Sequence, residues 1–230
     1  MPSLVTQRGT YTGAGVVATH NITNPGGFAN GDVLVLVLSV SGGSSTALTP
    51  PAGWTLRLRI DNGTDVSLFV YTKTAASEGA QWQFSANPAA EIAGDILSIA
   101  GGDPQAPFVL LNGQVNVSGT DAPFPDYATG SFADVALLFT AAVGNITFTS
   151  PTGYTELADV ADATAPAPMA CHVSRKVHGY PTSVSGLSDT LSGANLSVTA
   201  SALVWTDQGV VRQLIETVVP VNARIETVIA

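Results

Sequence analysis

Residues 32–40 read Asp-Val-Leu-Val-Leu-Val-Leu-Ser-Val, and this run is bounded by Gly31 on one side and by Gly42-Gly43 on the other. A short run of valine and leucine between glycine turns is typical of a strand that is buried on both faces. A second glycine turn follows in Pro-Pro-Ala-Gly-Trp-Thr-Leu at residues 50–56. We therefore expect a β-domain with residues 32–40 as its core strand.

The stretch after this turn predicts a hairpin. Residues 54–60 alternate between apolar and polar side chains, which places Leu56 on an apolar face and turns Arg57 and Arg59 outward. Asn62-Gly63 supplies the positive φ angles that a type I′ turn requires. Residues 66–73 then return as the partner strand.

The same order of segments occurs a second time. Asp-Val-Ala-Leu-Leu-Phe-Thr at residues 134–140 precedes Pro-Thr-Gly-Tyr-Thr-Glu-Leu at residues 151–157, roughly 100 residues further along the chain. We interpret the chain as an internal duplication.

Many turn residues and the absence of a 3.6-residue apolar period predict an all-β protein with almost no helix. We expect two tandem β-sandwich domains of jelly-roll or Greek-key type, with a short C-terminal β extension. The predicted units are a first domain at 1–105, a connecting segment at 106–131, a second domain at 132–206, and a C-terminal strand pair at 207–230.

Charge is scarce in this sequence. Hydrophobic residues make up 45% and charged residues 11%, against roughly 25% charged in average soluble domains. The net charge of −9, with 8 basic residues and no basic cluster longer than Arg175-Lys176, argues against binding to nucleic acid. A surface with few charges is suited to packing against another protein, because little charge has to be desolvated.

The chain carries no feature of a secreted or membrane protein. Residues 1–5 have neither the charged nor the apolar region of a signal peptide, and no apolar run approaches the ~20 residues of a membrane helix. We expect a protein made in the cytoplasm, without a membrane partner. The single cysteine, Cys171, excludes an intramolecular disulfide and is expected to be a small buried side chain.

Few residues offer chemistry. The histidines are His20, His172 and His178, and the last two lie roughly 20 Å apart along a strand, which is too far for one zinc ion. Asp121 and Asp126 lack the alternating acidic pattern of a calcium loop. No Gly-x-Ser-x-Gly or phosphate-binding motif occurs, and no nucleophile and base pair can be named. We expect no enzyme, no cofactor and no metal site.

The aromatic residues leave two interpretations open. They could form a sugar-stacking platform, or they could fill the core. Trp54 and Tyr154 occupy equivalent places after the Pro-x-Gly turns, and Trp82 alternates with Phe84, which favours the core. The residues in question are Trp54, Trp82, Trp205, Tyr71, Tyr154 and Tyr180.

The end of the chain has its own repeat. Ile-Glu-Thr-Val occurs at residues 215–218 and again at residues 225–228, outside the duplicated unit. Two such strands can form a hairpin on their own domain or add to the sheet of a neighbouring subunit. The candidate subunit contacts are Leu214, Ile215, Val218, Ile225 and Val228.

Three segments resemble a module of bacterial and tailed-phage proteins: Gly-Asp-Val-Leu-Val-Leu-Val (31–37), Pro-Pro-Ala-Gly-Trp-Thr-Leu (50–56) and Leu-Phe-Val-Tyr-Thr-Lys (68–73). The tail, Arg-Gln-Leu-Ile-Glu-Thr-Val-Val (212–219), resembles the end strands of phage virion proteins. The resemblance implies a structural protein of a tailed-bacteriophage virion. We expect a capsid decoration (cement) protein that stabilises the head.

The resemblance also implies partners and location. The partners would be the major capsid protein or other virion proteins, together with further copies of this chain as a homo-oligomer, and the location would be the virion. One alternative is a tail or fibre component. Another is a carbohydrate-binding adhesion module, in which exposed tyrosines such as Tyr127 or Tyr180 stack on sugar rings of a glycan.

Overall fold

The computed structural model describes residues 5–13, 15–130, 134–163 and 166–204. Within these ranges it contains β-strands, one 3₁₀ turn at Gly43–Ser45 and no α-helix, so the prediction of an all-β protein is confirmed. The strands are β1 (Val5–Thr12), β2 (Val17–Thr23), β3 (Val33–Ser41), β4 (Ala47–Thr49), β5 (Thr55–Asn62), β6 (Val66–Thr74), β7 (Gln81–Ala90), β8 (Ile92–Ile99), β9 (Leu110–Pro123), β10 (Tyr127–Ala128), β11 (Val135–Val143), β12 (Phe148–Thr149), β13 (Thr155–Ala161), β14 (Met169–Val177), β15 (Ser183–Val184) and β16 (Ser188–Val204).

Residues 5–99 form two antiparallel sheets. The first large sheet has the order β1-β8-β3-β6-β5, and the first small sheet has the order β2-β7-β4. Every residue of β3 is buried, as its unbroken apolar run predicts. The predicted hairpin forms, with Asn62 paired to Val66. The predicted type I′ turn is wrong, because Gly63 has a positive φ of 54° but Asn62 does not, and Asp65 donates its N–H to the Asn62 carbonyl at 3.1 Å.

Residues 110–204 repeat this strand order. The second large sheet runs β9-β16-β11-β14-β13, so that β9, β16, β11, β14 and β13 stand where β1, β8, β3, β6 and β5 stand in the first large sheet. The first part of β16 pairs with β12, just as β7 pairs with β4. β9 lies within residues 106–131, and this segment therefore supplies an edge strand to the second large sheet. A short pair, β10 with β15, lies beside it.

The two Pro-x-Gly turns adopt the same conformation. Gly53 has a φ of 89° and Gly153 a φ of 84°, which is the left-handed region that glycine enters without steric cost. In each turn the next residue donates its N–H to the carbonyl of the proline three positions earlier, Pro51 or Pro151. The two turns therefore start β5 and β13 in the same way.

One detail of the predicted alternation is wrong. A bulge between Leu56 and Leu58 shifts the register of β5 against β6, because an extra residue in one strand moves the following side chains to the other face. Leu56 is 45% exposed as a result. Arg59 lies 4.9 Å above the ring of Phe69 instead of extending into solvent.

The two large sheets pack face to face. Since neighbouring side chains of a strand point to opposite faces, Val33, Val35 and Val37 of β3 face the second large sheet, while the intervening leucines face the first small sheet. The shared core between the large sheets also contains Phe139 and Cys171. Cys171 is fully buried, as the sequence predicts. Its Sγ lies 3.9 Å from the carbonyl of Val37.

The outer face of the second large sheet carries smaller apolar clusters. One contains Phe124, Tyr127 and Leu138, and the other contains Phe148 and Leu191. Polar side chains lie among these clusters, and they form the hydrogen-bonded groups that follow. Within the described part of the chain, no helix is long and apolar enough to cross a membrane.

Candidate functional site

The predicted subunit contacts at the end of the chain lie outside the described residues. These are Leu214, Ile215, Val218, Ile225 and Val228, and Trp205 lies outside them as well. The tail hypothesis therefore stays a prediction. Four other places in the described residues combine exposure or buried charge with a defined geometry: one edge strand, one polar cavity, one hydroxyl–imidazole–carboxyl chain and one set of buried acids.

Three exposed valines lie on β9 or next to it. Val109 is 48% exposed, Val115 53% and Val117 85%, and we call these three residues the valine edge. Val117 lies within the register shift between Asn116 and Gly119 where β9 pairs with β16, and such a bulge turns a side chain away from the sheet. The valine edge thus combines apolar side chains with an edge strand, and another protein chain can cover both.

The valine edge is anchored from inside. The buried amide of Asn116 donates hydrogen bonds to Ser197 Oγ and Thr199 Oγ1, each at 3.3 Å. Asn62 of the neighbouring β5 donates to the Asn116 carbonyl at 2.8 Å. Because β9 is tied both to β16 and to β5, the exposed valines project from a rigid support.

A polar cavity of about 220 Å³ lies at the start of β5. Arg57 donates from Nε to Thr72 Oγ1 at 2.7 Å and from Nη2 to the carbonyl of Pro104 at 2.9 Å. The ammonium of Lys73 pairs with Glu78 at 2.7 Å. Both cations therefore already have partners, and the cavity offers mainly hydroxyl and amide groups to a ligand. Its lining consists of Gly53, Thr55, Arg57, Thr72, Lys73, Thr74, Pro104 and Gln105.

The aromatic side chains mostly fill the core. Trp54 and Trp82 are buried, with their rings in an edge-to-face arrangement 5.2 Å apart. Tyr127 is 6% exposed and its hydroxyl hydrogen bonds with Tyr154 and, at 3.0 Å, with His178 Nε2. Tyr127 is therefore unsuited to stacking on a sugar, contrary to the adhesion hypothesis, because its ring is covered by protein. Tyr180 is 67% exposed and fits that hypothesis.

Ser150, His172 and Asp189 form a chain of hydrogen bonds. Ser150 follows β12, His172 lies in the middle of β14 and Asp189 lies near the start of β16. The Ser150 hydroxyl is 3.1 Å from His172 Nε2, and His172 Nδ1 is 2.7 Å from Asp189 Oδ2. The hydroxyl of Thr140 donates to the same carboxylate oxygen at 2.6 Å. A hydroxyl, an imidazole and a carboxylate in this order can activate the hydroxyl as a nucleophile.

We call Ser150, His172 and Asp189 the relay, and the exposure of its side chains differs from one end to the other. His172 and Asp189 are fully buried, whereas Ser150 is half-buried. Phe148 stacks on the imidazole at 5.2 Å between ring centres. The half-exposed carboxylate of Glu156 lies 3.7 Å from Nε2. The Nε2 side of the ring is therefore the side from which the surface is reached.

Buried acids form the fourth group. Burial raises the pKa of Asp95 to about 7, although a hydrogen bond from Gln7 opposes the shift. Burial, together with the hydrogen bond and negative charge of Asp162, raises the pKa of Glu91 to about 7. Asp162 belongs to the second half of the chain, so this pair of carboxyl groups connects the two halves.

The histidines do not combine into a metal centre. His20 contacts the Tyr11 hydroxyl at 3.2 Å, and its pKa is lowered by burial. His172 and His178 have separate partners, Asp189 and Tyr127. In the residues that the structure describes, no three His, Cys, Asp or Glu side chains lie close enough to hold a metal ion.

Sequence reasoning named no nucleophile and base pair, whereas the structure places the Ser150 hydroxyl 3.1 Å from His172 Nε2. The partners are separated along the chain and meet only because β14 pairs with β11 and because β12 pairs with β16. One signal was present in the sequence. His172 interrupts the apolar run Met-Ala-Cys-His-Val at residues 169–173, and a histidine in a fully buried strand requires a polar partner.

No protein-family model, curated protein or solved structure matches the chain.

Proposed function

We propose that this chain is a structural protein of a tailed-phage particle, a capsid decoration protein that binds the major capsid protein on the outside of the head. The observation that carries the proposal is the valine edge. Val115 and Val117 place apolar groups on an exposed edge strand, and an edge strand binds another chain through its backbone and its alternate side chains.

The proposal includes an internal duplication into two jelly-roll or Greek-key sandwiches. The matching strand orders of the two large sheets and the matching turns at Gly53 and Gly153 support it. In this proposal the duplication produces one stiff unit, because the two halves share the core that contains Val37 and Phe139. A stiff unit transmits load between capsid subunits without unfolding.

The scarcity of charge supports binding to protein. With 11% charged residues, an interface at the valine edge desolvates few ions on forming. Each contact is small, and its strength in a particle comes from the many copies that bind together. Homo-oligomerisation through residues 207–230 would add to this effect and is a separate prediction.

The test uses phage heads assembled without this protein and the purified full-length chain added back. We expect the wild-type chain to sediment with the heads, and Val117→Asp to bind at least about tenfold more weakly, because burying an aspartate costs more than 1.4 kcal/mol. Val16→Asp is the matched control, since Val16 is also exposed (41%) and lies in the first half of the chain, directly before β2.

Two results would count against the proposal. If the wild-type chain stays in the supernatant, the decoration role is wrong. If Val117→Asp binds as tightly as Val16→Asp, the valine edge is not the contact. Immunogold labelling of whole particles separates a head location from the alternative of a tail or fibre component.

A carbohydrate-binding adhesion module is the second candidate. The cavity at Arg57, with its threonine hydroxyls, and the exposed ring of Tyr180 favour it, because hydroxyl networks and aromatic faces are the usual contacts of sugars. A glycan array probed with the full-length chain tests it. Binding that is lost in Tyr180→Ala or Arg57→Gln supports this role, and an array without signal contradicts it.

A further inference from the structure

The relay of Ser150, His172 and Asp189 occupies places that are apolar in the first half of the chain. Thr140 pairs with His172 in the second large sheet, and at the corresponding point of the first large sheet Leu38 pairs with Phe69. The pairing of β12 with β16 corresponds to that of β4 with β7 and aligns Asp189 with Phe84.

The strands of the first half show that apolar side chains at these places are compatible with this fold. Leu38, Phe69 and Phe84 are buried and belong to one apolar cluster. A buried imidazole and carboxylate are costly to remove from water, and apolar residues of similar size often give equal or greater stability. A polar network at such a place therefore requires an explanation other than the stability of the fold.

The direction of proton transfer follows from the chemistry of the carboxylate. An ionised Asp189 can only accept hydrogen bonds, so that His172 Nδ1, 2.7 Å from Oδ2, then donates to it, as the Thr140 hydroxyl does at 2.6 Å. With its proton on Nδ1, the imidazole presents the lone pair of Nε2 to the Ser150 hydroxyl. Asp189 and Thr140 thereby hold the imidazole as a base directed at Ser150.

We propose that Ser150 and His172 are the catalytic residues of a carboxylic-ester hydrolase site, with Asp189 as a positioning residue. This activity goes beyond the structural role in the particle. Ser150 is half-buried, and Phe148 and Glu156 flank the imidazole, so the reachable substrate is an exposed ester with a small acyl group, such as an acetyl ester.

The reaction balances without a further reactant except water. Ser150 Oγ attacks the ester carbonyl carbon while its proton moves to His172 Nε2. The tetrahedral intermediate then breaks the bond to the alcohol oxygen, which takes the proton from Nε2 and leaves, and Ser150 carries the acyl group. Water repeats the sequence on the acyl-serine and releases the carboxylic acid. The Glu156 carboxylate, 3.7 Å from Nε2, stabilises the transient imidazolium.

The experiment treats the full-length chain with 4-nitrophenyl acetate and, separately, with a fluorophosphonate probe. We expect release of 4-nitrophenolate above the rate in buffer, and a covalent adduct that peptide mass spectrometry places on Ser150. Ser150→Ala should abolish both signals. Ser85→Ala is the matched control, because Ser85 is exposed and its strand β7 corresponds to the first part of β16; it should retain both.

The roles of the other two residues are tested separately. Asp189→Asn should lower kcat by roughly 10²-fold or more, since the amide favours the wrong imidazole tautomer, while KM stays within about twofold. The double variant His172→Phe with Asp189→Phe introduces the two side chains that the first half has at these places, Phe69 and Phe84, and leaves no unpaired buried carboxylate. We expect it to fold, as shown by an unchanged circular dichroism spectrum, and to be inactive.

The proposal is overturned by any of three results. These results are labelling of the wild-type chain no stronger than that of Ser150→Ala, an adduct on another serine, or the wild-type rate in the folded double variant His172→Phe with Asp189→Phe. If Asp189→Asn keeps the wild-type kcat, the positioning role of Asp189 is wrong.

Discussion

Asp95 should make the protein less stable as the pH rises from weakly acidic to weakly basic. Its side chain is fully buried on β8, and burial raises its pKa from the usual value of 3.8 to about 7. The folded protein therefore keeps this proton up to about pH 7, whereas the unfolded chain releases it near pH 4. Between these values the unfolded state binds fewer protons, so the free energy of unfolding falls as the pH rises, and above pH 7 the contribution is constant.

The size of the effect follows from the pKa values. At pH 5 Asp95 is already ionised in the unfolded chain. In the folded protein it ionises only about two pH units higher, near pH 7. At about 1.4 kcal/mol per unit, Asp95 should lower the free energy of unfolding by about 3 kcal/mol between pH 5 and pH 8. Glu91, whose pKa is also raised to about 7, acts with the same sign.

The assay is urea denaturation of the full-length chain at pH 5 and pH 8. Asp95→Asn keeps the size of the side chain and an oxygen that can accept the hydrogen bond from Gln7, and it should reduce the difference between the two pH values by about 3 kcal/mol. Glu91→Gln measures how much Glu91 contributes to the difference in the free energy of unfolding between the two pH values. A wild-type free energy of unfolding that is constant or increases from pH 5 to pH 8 would refute this prediction. So would an Asp95→Asn variant whose free energy of unfolding falls over this range by as much as that of the wild type.

Two further predictions concern packing. Phe139→Ala removes a fully buried ring from the shared core and should lower the free energy of unfolding by about 3 to 5 kcal/mol in urea denaturation. Hydrogen exchange should show β3 and β11 losing protection together. Unchanged protection in β3 would contradict the shared core. Gly113→Ala should lower stability by about 1 to 3 kcal/mol, because its Cβ would overlap Ile60 Cδ1, whereas Gly130→Ala, which meets nothing within 4 Å, should leave the melting temperature unchanged.

The strands and turns of this protein could be predicted from local sequence. The apolar run at 32–40, the Asn62-Gly63 turn and the glycine at position 53 each impose a local conformation through burial or a positive φ angle. The recurrence of the same segments after roughly 100 residues also indicated the matching order of strands.

The face-to-face packing of the two large sheets could not be predicted in the same way. A strand such as β3, which is apolar on both faces, must be covered twice, but its sequence does not say which sheet covers which face. The bulge at Leu56 also escaped the alternation pattern, because residues 54–60 read equally well without it. Two-residue periodicity indicates the faces of a strand only where the register is unbroken.

The candidate sites depended even more on distant contacts. Val117 reads as an ordinary strand residue, and its exposure follows from a register shift between β9 and β16. Ser150, His172 and Asp189 are single residues in three strands or turns, and no spacing in the sequence connects them. His172 alone gave a signal, because it interrupts an apolar run.

The most direct test of the account is the amount of this protein in purified phage particles. Particles from the natural source would be separated into heads and tails, and the chain in each fraction would be counted by quantitative mass spectrometry against the major capsid protein. We expect many copies per head, at a fixed ratio to the major capsid protein, and few copies in the tail fraction. Absence of the chain from washed particles, or its confinement to the tail fraction, would contradict it.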